Sequence, residues 1–128
     1  METVAKLHKI RVLIADDHRL FADALAAILA TDERIEVVGK AKDGEEAVEL
    51  ATATHPNVVL MDIAMPRLDG LEAAKRIKEG SESTAVLMLT GSDSPSDVSR
   101  AREAGVSGYV TKDRIASELI DSIVQAIE

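Results

Sequence analysis

Val58-Val59-Leu60-Met61-Asp62 is the stretch on which the fold turns. Four apolar residues without alternation, ending on a carboxylate, read as a strand covered on both faces, as in a parallel sheet under helices. The same form recurs on either side. Residues 10–15 run into Asp16-Asp17, and residues 85–89, which include Val86-Leu87-Met88-Leu89, run into Thr90. Residues 35–38 and 108–110 complete a set of five expected strands with 58–61, and the last of them leads to Lys112.

The segments between these runs carry helical spacing. Phe21, Leu25 and Ile28 repeat at i, i+4 and i+7, and Ile115, Leu119, Ile123 and Ile127 repeat every four residues. Asp43 stands three before Glu46 and Asp69 three before Glu72, while Ser94-Pro95-Ser96-Asp97 offers a cap, a proline at the first turn and an acid. Gly80 and Gly105 stand where left-handed C-terminal caps belong, and Pro56 follows the second helix. The helix expected over 95–104 has the thinnest apolar face, with little beyond Val98, Ala101 and Ala104.

Five β–α alternations with right-handed crossovers make a three-layer, doubly wound (βα)5 α/β fold: a five-stranded parallel sheet with helices on both sides. A chain of 128 residues, 46% hydrophobic and 30% charged, fits one such domain. No stretch approaches the roughly 20 apolar residues of a membrane span, and the first ten residues lack the apolar block of a signal peptide. The absence of cysteine excludes disulfides and thiolate metal sites and agrees with a reducing cytoplasmic setting. A net charge of −8 argues against this domain gripping nucleic acid or an anionic membrane by itself.

In sheets of this kind ligands bind beyond the carboxyl ends of the strands. There the sequence gathers Asp16, Asp17, Asp62, Thr90 and Lys112. Each has a plain reading: a turn or capping aspartate, a turn hydroxyl, a solvated lysine. Taken together those readings fail, because carboxylates about 4 Å apart repel by up to about 4 kcal/mol at an effective dielectric of 20. A hard divalent cation with oxygen ligands does call for such a group, and Mg2+ (or Mn2+) suits it.

The motifs Ile14-Ala15-Asp16-Asp17-His18, Val59 through Gly70 around Asp62, Leu89-Thr90-Gly91 and Gly108 through Asp113 resemble those of response-regulator receiver domains of two-component signalling. The resemblance runs from about Lys9 to Ile127, giving an N-terminal tail (1–8) and a receiver domain (9–128). It implies a flavodoxin-like sheet of order 2-1-3-4-5. It implies Asp62 as phospho-acceptor, with Asp17, Asp62 and the backbone carbonyl of Ala64 on Mg2+ and Asp16 acting largely through water. Thr90 and Lys112 would bind phosphoryl oxygens, with the backbone N–H groups of Ala64 and Gly91 completing the cradle, and Thr90 and Tyr109 would form the switch that repacks the surface of the fourth helix, fifth strand and fifth helix. The donor would be a sensor histidine kinase, and phosphorylation-dependent homodimerisation is compatible with it. The chain is then a regulatory phospho-acceptor and not a turnover enzyme.

Asp113 stands where much of that family has proline, so a trans Lys112–Asp113 bond is expected. Ala64 and Ser92, two beyond Asp62 and Thr90, are positions that influence phosphoryl lifetime in the family. His18 reads as a surface or capping residue. Asp-Asp-His-Arg-Leu-Phe at 16–21 and Gly-Tyr-Val-Thr-Lys-Asp at 108–113 are most similar to NarL/FixJ-type receivers, which implies a helix-turn-helix output domain beyond Glu128. The alternatives are a stand-alone receiver acting by protein contact and a pseudo-receiver that binds without accepting phosphate.

Overall fold

The central strands are apolar at nearly every position because both sheet faces are covered. β1 (Ile10–Ala15), β2 (Ile35–Ala41), β3 (Val58–Asp62), β4 (Ala85–Thr90) and β5 (Gly108–Thr111) pair in parallel in the order β2-β1-β3-β4-β5. The structure is a computed structural model that describes residues 9–63, 65, 68–91, 99, 100 and 102–127. β3 and β4 are buried along their whole length. The helices are α1 (Arg19–Leu29), α2 (Gly44–Thr54), α3 (Gly70–Gly80) and a C-terminal helix (Ile115–Ile127). Of the helix expected over 95–104, residues 99, 100, 102 and 103 are helical, and the remainder up to 103 lies outside the described residues. No described helix is long and apolar enough to cross a membrane.

The two faces of the sheet pack different side chains. Under α1 and the C-terminal helix the core is built of large aliphatics, among them Ile14, Leu25, Leu29, Leu60, Leu119 and Ile123. Under α2 and α3 it is built of Ala47, Ala51, Ala73 and Ala74, with Met61, Met65 and Met88 filling between them. Unbranched methionine adapts to the gaps that small neighbours leave.

Both expected aspartate caps form. Asp43 accepts from the Glu46 N–H at 2.8 Å and Asp69 from the Glu72 N–H at 2.9 Å. Glu46 reaches back to the Lys42 N–H at 2.8 Å.

Two local expectations need correction. Gly80 is not a left-handed cap: it is the last residue of α3, and Ser81 follows in extended backbone, its N–H donating to the Ile77 carbonyl at 2.9 Å. Lys78 accounts for this ending, because its Nζ donates to the carbonyls of Glu82 and Thr84 at 2.8 Å and draws the chain away. The left-handed cap falls on His55 (φ 48, ψ 61) and, as expected, on Gly105 (φ 81). β2 also runs three residues past the expected end. Its register slips between Val12 and Leu13, so that Val12 faces Val37 and Leu13 faces Gly39, and pairing resumes to Ala41. Gly39 fits there because a Cβ would lie 3.3 Å from Leu13 Cδ1.

Candidate functional site

The carboxyl ends of β1 and β3, adjacent at the centre of the sheet, set the acidic residues side by side. Asp16 follows β1 and is anchored by its N–H donating to the Ala41 carbonyl at 3.0 Å. Asp62 closes β3 in register with Leu89, one residue before Thr90. Asp16, Asp62 and Thr90 are all buried, at 2%, 4% and 6% exposure; burial is unusual for charged groups and deepens the repulsion between the two aspartates. Asp17 is partly open, with 31% of its side chain exposed. Donor atoms of Asp16, Asp17, His18 and Asp62 lie within 4.8 Å of one another.

Among the described residues one lysine reaches this group. Lys112 opens a short 3-10 turn (Lys112–Arg114) directly after β5, and its Nζ stands 3.8 Å from Asp16 Oδ2 and 3.7 Å from Asp62 Oδ1. The same ammonium lies 4.6 Å from the centre of the Phe21 ring on α1, within cation–π range. The Lys112–Asp113 bond is trans, as expected.

The site is therefore a cluster of three carboxylates with one bridging ammonium at the mouth of the sheet. Asp16 Oδ2 is buried and makes no hydrogen bond. Hard oxygen donors at this spacing, one of them without a hydrogen bond, fit a small divalent cation. Beside the cluster an open cleft of about 480 Å³ is lined by Asp17, Arg19, Asp23, Lys40, Lys42 and Glu46. Within it Lys40 donates to Asp23 at 2.8 Å and holds that carboxyl below the usual carboxylate range.

Of the residues singled out in the sequence, the structure brings together Asp16, Asp17, Asp62 and Lys112. It sets Thr90 beside them at the end of β4, paired with Thr111. Gly91 follows, exposed, with open space where a Cβ would be. Tyr109 lies on β5 opposite Met88 and is 43% exposed. Ala64 and Ser92 lie outside the described residues.

Three participants were not anticipated as such. His18 occupies the cap position of α1 but makes no side-chain cap, and its Nδ1 faces the carboxylates instead. Phe21 carries the spacing of a core residue, which is also how it packs, and nothing in its periodicity announces the ammonium over its ring. Gly70 begins α3 against the end of β3: its N–H donates to the Ile63 carbonyl at 3.0 Å, and a Cβ would sit 2.0 Å from the Asp62 carbonyl oxygen. Its place in the Leu68-Asp69-Gly70 run was the available signal.

Residues 12–124 match the family model of the response regulator receiver domain. Among similar proteins, the transcriptional regulatory protein DegU of Brevibacillus brevis is 40% identical over 116 residues, covering 91% of this chain and 49% of DegU. The chain spans about half the length of the curated relatives it matches. Among solved structures, the signal receiver domain of the putative response regulator NarL from Mycobacterium tuberculosis superposes with a TM-score of 0.89 at 33% identity, covering 94% of this chain and 97% of that one. The response regulator domain of Thermotoga maritima CheB gives 0.87 at 35%, covering 93% and 96%. Sheet order, buried acids and these likenesses agree: the chain belongs to the response regulator receiver domain family, with transcriptional regulators of the NarL and DegU kind among its relatives.

Proposed function

We propose that this domain takes a phosphoryl group from a phosphohistidine of a sensor kinase onto Asp62 and passes the change to an output. The observation that carries this is the Lys112 ammonium between the buried carboxylates of Asp16 and Asp62, at 3.8 and 3.7 Å. A carboxylate oxygen of Asp62 attacks the phosphorus, the donor's P–N bond breaks, and its electron pair returns to the histidine nitrogen, which takes up a proton. Transfer of this kind has a loose transition state, so the protein acts by positioning and by neutralising the equatorial oxygens. Lys112 supplies one positive charge and the Thr90 hydroxyl one donor. Asp17 and Asp62, with the Ala64 carbonyl and with Asp16 through water, would hold Mg2+ or Mn2+, which when bound offsets phosphoryl charge. The backbone N–H groups of Ala64 and Gly91 complete the cradle.

A phosphoryl group adds a charge of about −2 at neutral pH and three strong acceptors. Thr90 moves toward it, Tyr109 turns inward from its exposed position, and the surface of the fourth helix, fifth strand and fifth helix repacks. Because the named relatives are transcriptional regulators of about twice this length, the output we favour is transcription through a C-terminal DNA-binding domain. The setting is cytoplasmic, the receiver touches no nucleic acid itself, and homodimerisation can follow phosphorylation. The domain spans residues 9–128 behind a short tail, and it works as a regulatory phospho-acceptor without turnover of a small substrate.

Intact-protein mass after incubation with acetyl phosphate and Mg2+, beside Asp62→Asn, tests this reading. One added phosphoryl group in the wild type alone, lost with EDTA, is the expected result. No addition, from acetyl phosphate or from a phosphorylated kinase, would turn the reading to a binding module that never accepts phosphate.

A further inference from the structure

His18 holds the cap position of α1 without capping it. Its backbone is extended (φ −92, ψ 98), yet its side chain bonds to no N–H of the helix. The imidazole turns back toward the acids instead: Nδ1 lies 3.3 Å from Asp16 Oδ1 and 3.2 Å from Asp17 Oδ1. The His18 N–H also donates to Asp16 Oδ1 at 2.8 Å, which fixes that carboxylate with its second oxygen pointing away from the histidine backbone. That second oxygen is the buried one without a hydrogen bond. The ring itself is 69% exposed, so it can exchange partners without disturbing the core.

We propose that His18 is a metal ligand, making the cation site a mixed nitrogen–oxygen site that favours Mn2+ and Co2+ over Mg2+. This rests on the reading of Asp17 and Asp62 as cation ligands. Two donors on adjacent corners of an octahedron with bonds of about 2.1–2.3 Å lie about 3.0–3.3 Å apart. The 3.2 Å from Nδ1 to Asp17 Oδ1 matches that spacing, and the four residues offer donors within 4.8 Å of one another. Asp16 Oδ2, buried and without a hydrogen bond, meets only the Lys112 ammonium at 3.8 Å among the described residues, beyond hydrogen-bond reach, which leaves it room for a cation's ordered water. An all-oxygen site distinguishes these ions weakly. Mg2+ keeps its waters and gains little from imidazole, whereas first-row transition ions bind nitrogen more strongly along the series.

Mn2+ serves as the probe. In the wild type, electron spin-echo envelope modulation of bound Mn2+ should show coupling to an imidazole 14N. His18→Ser, which keeps a good capping residue, should lose that coupling. Its Mn2+ dissociation constant should rise on the order of tenfold, while that for Mg2+ stays within roughly threefold. Wild-type Mn2+ bound without nitrogen coupling, or equal loss of both ions in His18→Ser, overturns the proposal. If Asp62 still takes a phosphoryl group in that case, the receiver reading stands and only the role of His18 falls. If neither ion binds at millimolar concentration and Asp62 takes no phosphoryl group, both fall together.

Discussion

At the N-terminal edge of the sheet, Asn57 and Arg11 exchange hydrogen bonds: Asn57 Oδ1 accepts the Arg11 N–H at 2.8 Å and the Asn57 N–H donates to the Arg11 carbonyl at 2.9 Å. The Arg11 guanidinium reaches the carbonyls of Thr54 and His55, and the buried Thr84 hydroxyl donates to the Pro56 carbonyl at 3.1 Å. At the C-terminal edge of the same strands, the Lys112 ammonium stands between Asp16 and Asp62, and the buried Asp16 Oδ2 makes no hydrogen bond. One edge meets its polar needs from within the chain, which is what stability asks for. The other gathers buried acids where a charged ligand would bind, and a ligand shifts an equilibrium only through differential affinity.

If the edges divide labour in this way, changes at each should be separable. The largest effect is expected at Lys112. Replacing it with alanine should slow labelling of Asp62 by acetyl phosphate by about 10²–10³-fold, as for loss of one preorganised charge-stabilising group. An unaltered rate would remove Lys112 from the chemistry. At the opposite edge, Thr84→Val leaves the buried Pro56 carbonyl without its donor and should cost about 1–3 kcal/mol in urea unfolding, with the labelling rate unchanged. A parallel fall in labelling would show the two edges to be coupled.

A smaller effect of opposite sign is expected at Asp17. Asp17→Asn relieves repulsion at a partly exposed position and should raise metal-free stability by about 1 kcal/mol, a few degrees in melting temperature. The same variant should lose the stabilisation by Mg2+, which in the wild type approaches about 2.7 kcal/mol at a hundred times the dissociation constant. A wild-type melting curve indifferent to millimolar Mg2+ would remove the cation from the account of this edge.

The smallest effect is on the solvent side of the N-terminal edge. The Arg34 guanidinium, then the Arg34 N–H, hold the Asp32 carboxyl at about 2. A depressed folded value contributes stability above the unfolded one, so this contribution is present above about pH 4 and fades as the pH falls toward 2. Asp32→Asn should flatten the pH dependence of melting in that window, melting slightly below the wild type at neutral pH and converging with it near pH 2.

The acidic site was legible because β3 and β4 are uninterrupted apolar runs and β1 is one broken only by Arg11, so their ends, and the residues just past them, could be counted off directly. Asp16, Asp62 and Thr90 followed from that count alone, and Lys112 from the short run before it. β2 was read too short because a one-residue slip at Val38 and the glycine after it look like a strand ending, when pairing with Leu13, Ile14 and Ala15 carries the strand on. The cap at Gly80 failed for a similar reason: glycine permits left-handed backbone but does not require it, and the Lys78 ammonium pulled the chain elsewhere. The rings of His18 and Phe21 were not legible at all. Spacing tells which side of a helix a residue faces, and only the folded sheet brings the carboxylates and Lys112 to those rings.

Gly70 carries a last consequence. With no room for even a methyl group against the Asp62 carbonyl, the first residue of α3 is held against the backbone of the aspartate proposed as acceptor. A genetic selection for lost signalling should therefore recover substitutions at a residue with no functional group beside those at the aspartate itself. Heredity would count Asp62 and Gly70 as one locus of function, though only one of them has any chemistry to offer.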